Sequence, residues 1–260
     1  MAKIILSAQN FDIYDGDGLD PAARTGATSI EQLHQAGATG IVIGHSEVGD
    51  NPAVVRKKLL SALKNNELPD NTILVGETWE EFDGHSVEEV SDTIGKQTRI
   101  ILEGVDQGKI KNMVLGYEPK WGSRGSGRDD QPPPSSELVG TCAERIHSVL
   151  ANMGAESVPI IYGGRSTPER TESILAHQKV DGLILGSACN SVEKILAIAD
   201  AMTKAKGNGK KILHANFKAY KLQDSYEQYL EALSALDDSF VVYLSPPHTD
   251  IRLVKKLMKQ

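Results

Sequence analysis

Eight times along this chain, a short run rich in isoleucine, valine and leucine gives way to a longer segment whose apolar residues recur with helical spacing. The strand-like runs fall at 4–8, 41–43, 72–75, 113–117, 158–162, 183–185, 211–215 and 240–244. Helical patterning lies at 29–35, 52–64, 87–107, 136–152, 191–204, 224–236 and 249–258. A shorter helix opens at Thr167-Pro168-Glu169, with threonine as N-cap and proline in its first turn. Eight strand-then-helix units in 260 residues are what a (β/α)8 barrel requires, and the active site of such a barrel lies on the loops that follow its strands.

Composition fits one α/β domain with a full-sized core: 40% of residues are hydrophobic and 24% charged. The formal net charge is -7 and no block of lysine and arginine interrupts it, so neither a nucleic-acid surface nor an anionic-membrane surface is indicated. The opening run is too short for a secretory leader and no stretch has the length of a membrane span, so a soluble cytoplasmic protein is expected. Cys142 and Cys189 make no disulfide framework, and buried thiols are the ordinary explanation for both. Residues 206–211, with Gly207-Asn208-Gly209 at their centre, form the one linker-like connector, between the seventh helix and the next strand.

The polar motifs sit at strand ends. Run 113–117 delivers Glu118 to its own end, and Pro119 fixes the backbone immediately beyond it. Lys120 and Trp121 lead into a stretch in which Gly122, Gly125 and Gly127 permit hinge motion, which reads as a carboxylate base held beneath a lid. His45 follows run 41–43 at what reads as the start of a helical turn, where a neutral imidazole is favoured over a charged one. A histidine satisfied by local backbone explains that residue equally well when it is taken alone. Asn216 and Lys218, two apart on a segment read as extended, are expected to face one ligand oxygen or phosphate, although a solvated lysine is the commoner explanation of such a pair. Gly163-Gly164-Arg165 and Gly186-Ser187 each precede a helix, so backbone N–H groups there can converge on an anion; each could also be only a tight turn.

Taken together, these residues resemble the triosephosphate isomerase family over nearly the whole chain. The resemblance is carried by GHSE at 44–47, GE at 76–77, YEPKWG at 117–122, YGG at 162–164 and NFK at 216–218. It implies a TIM barrel in which Glu118 is the base, His45 the neutral electrophile, Lys218 and Asn216 electrostatic stabilisers and Glu47 a supporting carboxylate. It further implies phosphate contacts from Gly163, Gly164, Arg165, Gly186, Ser187, Gly122 and Gly125, a lid containing Pro119, Lys120, Trp121 and Gly127, and no metal or organic cofactor. AQN at 8–10 with Thr25-Gly26 is similar to the family's third loop, which implies a homodimer formed through the loop that contains Thr25 and Gly26.

The order of the motifs differs from the family's. The strand bearing Asn216 and Lys218, and the one ending at Ser245-Pro246-Pro247, would come first and second there, whereas here they come last. This reads as a circular permutation that opens the chain before the family's third strand and joins the old ends through connector 206–211. Val48-Gly49 stand where an arginine pair is usual, Arg165 and Ser187 replace smaller phosphate-loop residues, and both the lid and the loop at 11–24 are longer. The expected reaction is interconversion of dihydroxyacetone phosphate and glyceraldehyde 3-phosphate. The alternatives are isomerisation of another short sugar phosphate, such as a tetrulose phosphate, or a catalytically weak barrel that binds a phosphometabolite.

Overall fold

All eight expected strands form, and they close on themselves with every neighbouring pair parallel. The computed structural model describes residues 1–13, 25–64, 68–207 and 209–259. Strands β1 (Lys3–Ala8), β2 (Gly40–Ile43), β3 (Asp70–Val75), β4 (Val114–Tyr117), β5 (Ile160–Gly163), β6 (Gly182–Leu185), β7 (Lys211–Asn216) and β8 (Phe240–Ser245) follow one another around the barrel in chain order. Pairing of β8 with β1, from Val241 opposite Lys3 to Leu244 opposite Leu6, closes the ring and leaves no edge.

The helices are α1 (Ile30–Ala36), α2 (Pro52–Lys64), α3 (Trp79–Phe82), α4 (Val87–Leu102), α5 (Gln107–Ile110), α6 (Ser136–Asn152), α7 (Pro168–Leu175), α8 (Val192–Lys206), α9 (Tyr226–Ser234) and α10 (Ile251–Leu257). Their ends are set by caps more than by apolar periodicity. Ser29, Ser86 and Ser225 each accept from the N3 backbone, while the N3 glutamine or glutamate accepts from the cap's own N–H. The cap at Ser225 shortens the helix expected at 224–236. The helix expected at 87–107 ends at Leu102, and a second short helix begins at its last expected residue. α4 stops where Glu103 leaves helical angles (φ -58, ψ 121), and α5 starts afresh behind Asp106, whose carboxylate accepts from Gly108 N and Lys109 N. Likewise, a 3-10 turn at His248–Asp250 occupies the start of the segment expected as helix 249–258.

Strand alternation divides the barrel into two cores. Residues on the outer face, such as Leu6, Ile43, Leu115, Leu183 and Leu213, join the large cluster beneath the helices. The inner face contributes one residue from each strand to a closed apolar layer: Ile5, Val42, Leu74, Val114, Ile161, Ile184, Ile212 and Tyr243. Two residues further toward the C-terminal ends, that face carries Ser7, Gly44, Gly76, Gly116, Gly163, Gly186, His214 and Ser245. The floor is therefore apolar, and the space above it is walled by small or polar groups. A Cβ on Gly163 would stand 3.0 Å from Glu118 Cγ, and one on Gly186 3.0 Å from Lys218 Cε, so glycine at each position leaves room for a functional side chain.

At the opposite end of the barrel, the buried Lys211 Nζ donates to Gly207 O at 2.7 Å, Gly209 O at 3.0 Å and Ser239 Oγ at 2.6 Å. These bonds tie the connector to the start of β7. Asn208 of that connector and residues 14–24 of the loop expected to be long lie outside the described residues.

Candidate active site

Glu118 is the first residue beyond β4. Its N–H donates to Val75 O at 2.7 Å, which fixes the backbone, and its side chain is 5% exposed. One carboxylate oxygen, Oε2, accepts from the backbone N–H of Ser46 at 2.9 Å, and the other lies 3.5 Å from His45 Nε2. His45 caps the 3-10 turn Ser46–Val48, as read from the sequence, and its Nδ1 accepts from Glu47 N–H at 3.2 Å. Acceptance at Nδ1 assigns the ring proton to Nε2, the nitrogen that faces Glu118.

Asn216 and Lys218 come to the same mouth, but not along an extended segment. Lys218 has φ 48, in the left-handed region, a conformation that costs a non-glycine residue about 1–3 kcal/mol unless its surroundings impose it. Three bonds hold this segment. Lys218 N–H donates to Asn216 Oδ1 at 3.1 Å, while Gln9 Nε2 donates both to Lys218 O at 3.0 Å and to Ser245 O at 2.9 Å. Because Asn216 Oδ1 is occupied, its Nδ2 remains as the donor for a ligand. Lys218 Nζ forms a close ion pair with the half-exposed Glu47. Burial alone would lower the lysine's pKa, but the hydrogen bond and charge of Glu47, with Tyr220 and Glu118, outweigh it and leave the ammonium raised above its usual value.

A pocket of about 30 Å³ collects His45, Glu118, Asn216 and Lys218 with Arg165 and Ser187. Gly164 and Gly186 line it as well, whereas Gly122, Gly125 and Gly163 do not, Gly163 lying beneath Glu118. Glu47 and His45 also border an open cavity on the Gln9 side. Beyond Glu47, where Val48-Gly49 stand in place of an arginine pair, the buried Lys58 Nζ contacts Asp50 Oδ2 at 2.7 Å and Asn10 Oδ1 at 2.9 Å.

The segment expected as a lid begins on an aromatic anchor. Trp121, 3% exposed, stacks on Phe82 at 4.1 Å and meets Trp79 edge-on at 5.6 Å. Its Nε1 donates to Glu77 Oε1 at 2.9 Å, an oxygen that also accepts from Tyr117 OH at 3.0 Å. Further along, Ser126 Oγ returns to Trp121 O at 2.9 Å, and Gly125 N–H meets the Asp129 carboxylate at 3.0 Å. Arg170 Nη2 holds the far end through Pro134 O at 2.7 Å.

Burial pushes the Glu77 carboxyl above its usual range, against the hydrogen bonds that favour its charge. The folded chain therefore holds this proton more tightly than the unfolded chain does. Its stabilising contribution is full below the unfolded pKa and is lost as pH rises through the folded one. Glu77→Gln keeps an oxygen for Trp121 and Tyr117 and has no proton to lose. Wild type is expected to lose stability relative to Glu77→Gln as pH rises above about 4.5. Urea midpoints of both proteins across that range check this, and parallel curves would contradict it.

Several contributing contacts were not read from the motifs, although Ser46 lies within GHSE and Gln9 within AQN. Ser46 acts through its backbone, Gln9 across the barrel and His214 from mid-strand. His214 is fully buried under the site, bonds Ser245 Oγ at 2.8 Å and stacks on Tyr243 at 5.1 Å. Burial, with the nearby His45, pulls its pKa down to about 3. Alternation along β7 is the signal that could have found it, since Ile212, His214 and Asn216 share one face. Cys142 and Cys189 are buried as expected; burial pushes the Cys189 thiol up to about 12 and raises Cys142 further. Among the described residues, no helix is long and apolar enough to cross a membrane.

Comparison with known proteins accords with this geometry. A model of the triosephosphate isomerase family matches residues 1–202. The triosephosphate isomerase of Xanthobacter autotrophicus is 35% identical over 197 residues, covering 72% of each chain. That of Moorella thermoacetica is 32% identical over 186 residues, covering 70% of this chain and 72% of its own. With most of its length matched and the polar residues of the barrel mouth gathered in one pocket, the chain belongs to the triosephosphate isomerase family.

Proposed function

We propose that the protein interconverts dihydroxyacetone phosphate and glyceraldehyde 3-phosphate through an enediolate. The observation that carries this reading is the 3.5 Å approach of a nearly buried carboxylate to a histidine Nε2 at the mouth of the barrel. Glu118 removes the proton from one substrate carbon and returns it to the next; to do so its carboxylate leaves the Ser46 N–H and turns toward the ligand. His45 polarises the carbonyl through Nε2–H, and Lys218 with Asn216 stabilises the charge that develops on oxygen. Glu47 keeps Lys218 ionised and aimed. The phosphate lies against Gly163-Gly164-Arg165 and Gly186-Ser187, and the lid from Pro119 through Gly127 excludes water, with Gly122 and Gly125 donating from its backbone.

The same reading takes the strand order as a circular permutation. Support comes from the end of the family match at residue 202, which leaves β7 and β8 beyond it, although both strands complete the barrel. Thr25 and Gly26, both exposed, form the contact of a homodimer.

Proton transfer through Glu118 has a direct test. Starting from dihydroxyacetone phosphate in D2O, the product is expected to carry deuterium at C2, because a carboxylate that has taken the proton exchanges it with solvent. Complete retention of the substrate hydrogen would contradict a base-mediated path.

A further inference from the structure

Beside the catalytic pocket, between the loop after β5 and helix α8, lies a second cavity of about 320 Å³. Arg124, Gly164, Arg165, Gly186 and Ser187 line both, so the two spaces adjoin. The outer one adds Ser166, Asn190 and Lys194. Three cations therefore reach it, and no carboxylate is among its lining residues. Lys194 Nζ donates to the neutral Asn190 Oδ1 at 3.0 Å, and no carboxylate pairs with it among the described residues.

Two donors of lining residues, Nη2 of Arg165 and Oγ of the adjacent Ser166, are enclosed within the protein and have no hydrogen-bond partner among the described residues. The rest of the Arg165 guanidinium is engaged, Nε with Gly122 O at 3.3 Å and Nη1 with Asp129 O at 3.4 Å. Buried donors seldom lack acceptors. A cavity lined by three cations and no acid has the composition of an oxyanion site, and helix α7 begins on the same rim behind its Thr167 cap.

We propose that this outer cavity is a second oxyanion subsite, which takes the distal phosphoryl group of a doubly phosphorylated ligand whose other phosphate occupies the catalytic pocket. The ligand class is a sugar bisphosphate or a comparable compact diphosphorylated metabolite. The inner end rests on the sugar-phosphate reading above; the outer end rests on the cavity's own charge.

Lys194 lines the outer cavity and not the inner one, which makes it the discriminating position. Calorimetric titrations with orthophosphate and with pyrophosphate, at fixed ionic strength, read the subsite without requiring turnover. Wild type is expected to bind pyrophosphate at least about tenfold more tightly than orthophosphate, the size of one charge-assisted hydrogen bond. Lys194→Ala should bring that ratio close to one while leaving orthophosphate affinity and triose phosphate turnover unchanged. Lys204→Ala, at the far end of α8, should leave the ratio as it is. Equal affinities in wild type, an intact preference in Lys194→Ala, or an equal loss in both variants would each overturn the subsite. A protein with the pyrophosphate preference but no isomerase activity would keep the subsite and refute only the reaction.

Discussion

Glu118→Gln is expected to lower kcat by about two to four orders of magnitude, the contribution of a positioned general base, with little change in KM or in thermal stability. The substitution conserves shape and keeps an oxygen to accept the Ser46 N–H, now 2.9 Å from Oε2. What it removes is the ability to take a proton. The carboxylate is nearly buried and surrounded by fixed partners, so water is poorly placed to replace it. Steady-state kinetics beside thermal unfolding separate the two effects. A variant that unfolds early would show that Glu118 is needed for folding, and one that turns over normally would show that another group is the base.

Lys218→Met is expected to lower kcat/KM by about two to three orders of magnitude, since it withdraws one electrostatic stabiliser of the developing oxyanion and the positive field for the phosphate. Both kcat and KM should move, in contrast to Glu118→Gln. Stability should change little. The partner left behind, Glu47, keeps 50% of its side chain in water, so no buried charge is stranded, and the left-handed backbone at 218 is imposed by Gln9 and Asn216 whatever the side chain is. Kinetics over a range of triose phosphate concentrations check this; a kcat/KM within threefold of wild type would remove Lys218 from the reaction.

The barrel was legible in the sequence because its strands are short, apolar and regularly spaced, and because parallel strands buried on both faces need no alternation to be recognised. Helix boundaries were less so, where a local cap overrode the pattern: Glu103 ends α4 although apolar residues continue to Val105 and Ile110. Glu118, His45, Asn216 and Lys218 were legible because each stands at or just past a strand end, and a closed barrel brings all such ends to one mouth. Their supports were not. Gln9 meets the carbonyl of a residue 209 positions away, and no local spacing announces such a bond. His214 lies inside a strand, where an imidazole looks like an interruption of the core until Thr72, Tyr243 and Ser245 are seen around it. Lys218 was read as extended, yet its left-handed angle follows from backbone bonds that pattern does not encode. Arg165 lines the pocket, and its additional bonds to Gly122 O and Asp129 O are long-range contacts that no local spacing announces.

The most direct measurement is a coupled assay of the purified protein with glyceraldehyde 3-phosphate and with dihydroxyacetone phosphate, run beside Glu118→Gln prepared in the same way. Turnover in both directions that collapses in the variant is the expected result, and it would exclude a contaminating isomerase. A folded wild-type protein that converts neither triose phosphate, or one whose activity survives in Glu118→Gln, would contradict the assignment.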